Sequence, residues 1–62
     1  MNRYQVIDTN GRSWKILTMP LESLIEAVSF ATRYADKQSV TTSIYKLSPK
    51  GHLTHLTDID PE

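Results

Sequence analysis

Only two glycines occur in this 62-residue chain, and each stands third in a short turn-forming run between strand-like segments: Thr9-Asn10-Gly11 and Pro49-Lys50-Gly51. Glycine supplies the left-handed backbone that closes a type I turn with a G1 bulge, so this spacing predicts a hairpin near each end of the chain. At the first site a two-residue Asn-Gly type I′ turn is the rival. It would pair Tyr4 with Leu17 and Ile7 with Trp14, scattering apolar residues over both faces of the sheet. The three-residue loop pairs Val6 with Trp14, Tyr4 with Ile16 and Asp8 with Arg12, which gathers the large residues on one face, and register is expected to follow the cleaner pattern. In the second hairpin the same loop pairs Leu47 with Leu53, Tyr45 with His55 and Ile44 with Leu56. Strands are expected over 3–8, 13–18, 39–47 and 52–58.

Between the hairpins, Ser23-Leu24-Ile25-Glu26 reads as a capping box, in which the serine hydroxyl and the glutamate carboxylate each satisfy an exposed backbone N–H. The helix should run to about Lys37, with a bend at Pro20. At 100° per residue it carries two apolar stripes. One is Leu21, Leu24, Ile25, Val28, Ala31 and Ala35; the other is Ser23, Ala27, Phe30 and Tyr34. The fold class is therefore α+β: a ββαββ chain whose four-stranded antiparallel sheet carries one helix packed on one face. It forms a single domain over 1–62, with its last few residues frayed. The expected core is Tyr4, Val6, Trp14, Ile16, Leu24, Val28, Ala31, Ala35, Val40, Ile44 and Leu56. That assignment leaves Ile7, Leu17, Tyr45, Leu47, Leu53 and Ile59 on the outer face of the sheet, and Phe30 and Tyr34 on the flank of the helix.

A hydrophobic content of 39% in so short a chain makes one thin core, because small domains bury the smallest fraction of their surface. Cysteine is absent, so disulfides, thiol redox chemistry and cysteine-based zinc sites are excluded. Stability would then draw on self-association. Seven basic residues balance seven acidic ones, giving no general attraction to nucleic acid or to anionic membrane. Met1-Asn2-Arg3-Tyr4 leads straight into a strand pattern, and no apolar run reaches the roughly 18 residues that span a bilayer. A soluble, cytoplasmic protein without a signal peptide is expected.

Chemistry-bearing constellations are sparse. His52 and His55 have H-x-x-H spacing, but residues three apart on a strand point to opposite faces, so no metal site is expected. Asp58 and Asp60 read as solvated tail carboxylates. Ser43, His55 and Asp58 can be assembled into a nucleophile, base and acid, yet nothing in the sequence orients them. No catalytic residue and no cofactor is expected. Four-stranded sheets can stack bases on aromatics set among basic residues. Here Tyr45, with Arg12, Lys15, Lys50 and His55, offers a thin version of that arrangement.

The stretch Ser13-Trp14-Lys15-Ile16, followed by Ser23-Leu24-Ile25-Glu26-Ala27-Val28 and the β-rich Val40 to Lys46, resembles the small RNA-polymerase inhibitor proteins of T7-like phages. The resemblance covers most of the first 46 residues as strand–strand–helix–strand order with a serine or threonine helix cap. Those inhibitors carry closely spaced arginines on the strand after the helix. This chain has Ser43 and Tyr45 there with Lys46 beside them, so their contact residues do not carry over. The resemblance implies a class: a phage- or mobile-element-type protein, of a size and logic shared with anti-CRISPR and other anti-defence proteins, that occupies a surface of a host machine. Joined with the surplus apolar surface, it suggests a non-enzymatic interaction module that self-associates as a dimer and occludes a protein partner. Its candidate contacts are Phe30, Tyr34, Ile7, Leu17, Tyr45, Leu47 and Leu53. Single-stranded nucleic-acid binding by the sheet is the alternative.

Overall fold

The computed structural model describes residues 2–10 and 13–62. Its elements run β1 (Arg3–Asp8), β2 (Lys15–Ile16), α1 (Leu24–Gln38), β3 (Thr42–Leu47) and β4 (Leu53–Ile59). The four strands form one antiparallel sheet in the order β2-β1-β3-β4, and α1 packs against β1, β3 and β4, as the ββαββ reading requires. Among the described residues no helix is long and apolar enough to cross a membrane.

The second hairpin closes as its turn chemistry predicts. Gly51 has φ +89°, its N–H donates to the Ser48 carbonyl at 2.9 Å, and the Ser48 N–H donates to the His52 carbonyl at 2.9 Å. A Cβ on Gly51 would meet nothing within 4 Å, so the backbone angle, not space, demands glycine there. Leu47 faces Leu53 and Tyr45 faces His55, as expected. A bulge between Ile44 and Tyr45 then sets Ile44 opposite Thr57 instead of Leu56. Leu56 becomes the extra residue and is exposed, outside the core.

The first hairpin departs from both sequence registers. Ile16 faces Ile7 and Lys15 faces Asp8, while Gly11, Arg12 and the expected Asp8–Arg12 pair lie outside the described residues. Polar bonds, some local and some reaching across the chain to the start of β3, account for the longer connection. The backbone N–H and the side-chain Nδ2 of Asn10 both donate to Asp8 Oδ1, at 2.9 and 2.8 Å, and Nδ2 also donates to the Thr41 carbonyl at 2.8 Å. The hydroxyls of Thr9 and Ser43 lie 3.3 Å apart. These bonds hold residues 9 and 10 beside β3, so the chain returns later than a tight turn allows. Ile16 therefore lies opposite Ile7 instead of Tyr4, three positions along. An odd shift turns every β2 side chain to the opposite face, so Trp14 and Ile16 leave the core for the outer side. Leu17, whose N–H donates to the Val6 carbonyl, moves to the helix side and packs on the core with Leu21 and Ile59. After bends at Thr18 and Met19, Leu21 pairs again with Tyr4 through bonds of 2.7 and 2.8 Å.

α1 begins at its expected cap: the Ser23 hydroxyl accepts from the Glu26 N–H at 3.4 Å. It buries neither of the two sequence stripes as a unit. Ala27, Ala31 and Ala35 lie fully buried, while Leu24, Val28 and Phe30 are exposed on the two flanks. Alanine's single methyl lets the helix settle over Val6 and Ile44, which form the core cluster with Ala27 and Ala31, and the larger side chains straddle the contact. Val40, also assigned to the core, is half-buried at the helix exit.

The helix ends on Ser39 in the left-handed conformation, with φ 55° and ψ 43°. A residue with a Cβ pays about 1–2 kcal/mol there, partly offset in glycine by its greater unfolded-state freedom. Ser39→Gly is therefore expected to stabilise the domain by about 0.5–1 kcal/mol, read as a rise of a few degrees in melting temperature.

Candidate functional site

The outer face of the sheet, away from α1, is built by alternate residues of β1, β3 and β4. Ile7, Ser43, Tyr45, Leu47, Leu53, His55 and Asp58 fall on it by register. Across it runs a contiguous line of three rings. Trp14 lies against Tyr45 with centroids 5.6 Å apart and planes tilted 43°, and His55 meets Tyr45 edge-on at 5.3 Å and 71°. Trp14 is 59% exposed, as is Ile16. Ile7, a candidate contact, is 1% exposed; it forms a small buried centre under this face. Leu17 lies on the helix side, while Tyr45, Leu47 and Leu53 occupy the outer face as expected.

Three polar residues of this face, Ser43, His55 and Asp58, bond one another, and Arg3 and Gln5 of β1 fall on it by register as well. Asp58 Oδ1 accepts from Ser43 Oγ at 2.7 Å and lies 2.8 Å from His55 Nε2. The structure thus brings together Ser43, His55 and Asp58, but in an order unlike a hydrolase relay. There the histidine stands between the hydroxyl and the carboxylate so that it can take the serine proton. Here the carboxylate is central, and the buried Ser43 hydroxyl is held by Asp58. This arrangement locks β3 to β4 without activating a nucleophile.

Two other features concern the candidate residues. Phe30 and Tyr34 stack one turn apart, with ring planes 12° from parallel and centroids 6.5 Å apart. The Tyr34 hydroxyl donates to Asp8 Oδ2 at 3.0 Å, tethering this flank of α1 to β1. Of the basic candidates, Lys15 lies on the helix side opposite Asp8, Lys50 is exposed in the second turn, His55 belongs to the ring line, and Arg12 lies outside the described residues. Trp14 and Ile16 were missed as outer-face residues. The rival hairpin, which set Trp14 opposite Ile7, carried that signal.

Among the described residues, three groups titrate away from their ordinary values. Bonds from His55 and Ser43 hold the Asp58 carboxyl below the usual carboxylate range, and bonds from the Asn10 side chain and backbone, with Tyr34, do the same for Asp8. The bond to Asp8 and partial desolvation push the Tyr34 phenol up. A carboxyl depressed on folding binds fewer protons folded than unfolded. Its contribution is present in full above its unfolded value near 4 and is lost as pH falls through the folded value. A raised phenol has the opposite sign: its contribution holds below about pH 10 and is lost above it. Melting temperature is therefore expected to fall as pH drops below about 4. Asp58→Asn should flatten that limb in circular-dichroism melts.

The chain matches no family model, no curated protein and no solved structure.

Proposed function

We propose that this protein is a non-enzymatic interaction module that acts by occupying a surface of a larger protein. The carrying observation is that folding leaves apolar side chains exposed on both broad sides of a two-layer domain. On the sheet side stand Trp14, Ile16 and Leu53; on the helix side stand Ile25, 79% exposed, and Phe30. Contiguous apolar surface on a small domain marks interaction sites. Two adjoining hollows on α1 share Phe30 and Arg33, and the second is lined by Ile25 as well, so this side of the helix offers shallow apolar ground for side chains of another protein. The resemblance to phage polymerase inhibitors suggests the same mode of action, steric occlusion of a host machine.

The test is affinity capture from host extract with the native chain and with an Ile25→Ala, Phe30→Ala variant of unchanged melting temperature. A protein retained by the first and lost with the second supports the reading; identical retention by both refutes it. The Trp14–Tyr45–His55 line favours a second reading, single-stranded nucleic-acid binding through base stacking. Against it, Arg3 is the one cation that the register of the described strands places on that face.

A further inference from the structure

We infer that the outer face of the sheet is covered by a second copy of this chain, forming a two-fold dimer in which the sheets stack and the helices face outward. The inference rests on the interaction-module reading and names one of its two surfaces. Four observations carry it.

The first is area. The chain exposes 4490 Å², whereas a folded monomer of 7.1 kDa exposes about 4,100 Å². The second is the thinness of the core: its buried apolar residues are Val6, Ile7, Ile44 and three alanines. A chain without cysteine has no disulfide to make up the difference.

The third is shape. The domain measures 32 × 26 × 17 Å, so its broad face offers a footprint on the order of 800 Å² per copy, what a standard-size interface buries on each partner. Sheets stack face to face at about 10 Å, which suits a face whose side chains stand up around Trp14. The fourth is chemistry. Burying unpaired polar groups is costly, but Ser43, Asp58 and His55 already bond one another. The apolar groups Trp14, Tyr45, Leu47 and Leu53 can therefore be covered with Gln5 and the strand-end Arg3 as the polar groups of the described strands left to pair across the contact or reach water at its rim. A two-fold contact is self-complementary, each copy presenting the same ring line to the other. A nucleic acid, by contrast, would need more cations than Arg3, the one that the described strands place on this face.

Sedimentation equilibrium of the full chain over a micromolar concentration series tests this, with Trp14 emission as a second readout because the chain has one tryptophan. The expected result is twice the chain mass, with emission shifting to the blue as concentration rises. Trp14→Ala should weaken association by at least about thirty-fold, the loss typical of a central aromatic anchor. Leu53→Asp, at an exposed position, gives the same answer should the tryptophan variant fail to fold. The Ile25→Ala, Phe30→Ala variant should remain a dimer, so failure of dimerisation and failure of partner capture are read separately. A monomer at high micromolar concentration overturns the inference. So does a dimer broken by the helix variant and not by Leu53→Asp. Quenching of Trp14 in a monomer by oligo(dT), weakening steeply with salt, overturns it in favour of nucleic acid.

Discussion

Ile44→Ala is expected to remove about 2–5 kcal/mol of stability, the cost of truncating a buried aliphatic side chain whose cavity cannot fully collapse. Ile44 is fully buried at the centre of β3, beside Val6 and beneath Ala27 and Ala31. A 62-residue domain commands only ~3–9 kcal/mol in total, so the variant should lose a large share of its stability. Val28→Ala, on the exposed flank of α1, should cost under about 1 kcal/mol. Urea titrations followed by circular dichroism decide the matter. Equal losses from the two substitutions would place the core on the wrong side of the helix.

Ala27→Leu is expected to cost about 1–3 kcal/mol or more through overpacking. In the sequence periodicity Ala27 belongs to the surplus stripe with Phe30 and Tyr34, where a leucine would be harmless and, being a good helix former, neutral for α1 itself. In the structure it is fully buried against Val6 and Ile44, and a larger side chain must push the helix off the sheet. Val28→Leu, one residue away, should leave stability nearly unchanged. Thermal melts of the two variants distinguish the faces of the helix, and a stable Ala27→Leu protein would contradict the packing described.

Legibility differed between the two hairpins for an identifiable reason. At Pro49-Lys50-Gly51 the turn is a local affair, closed by bonds between Ser48, Gly51 and His52, and the pairing of Leu47 with Leu53 follows from it. At Thr9-Asn10-Gly11 the decisive bonds reach across the chain. Asn10 is bound to Thr41, and Thr9 lies against Ser43, more than thirty residues away in each case. A pattern that depends on such partners is invisible to turn chemistry, and the preference for gathering large residues on one face chose the wrong side for Trp14 and Ile16. The candidate surface was legible in part: Tyr45, Leu47 and Leu53 were placed on it by the hairpin that could be read, and Trp14 was lost with the hairpin that could not.

By itself the amino-acid order determined the element sequence, the serine cap of α1, the glycine-closed second turn and the ββαββ class, because each depends on contacts within a few residues. Tertiary structure alone decided three things: that the alanines, not the larger apolar residues, face the sheet; that β2 shows its tryptophan to the outside; and that Ser43, His55 and Asp58 converge with the carboxylate in the middle. The physical reason is common to all three. Periodicity says which residues share a face, but which face is buried depends on the bulk and hydrogen bonds of a partner element distant in the chain.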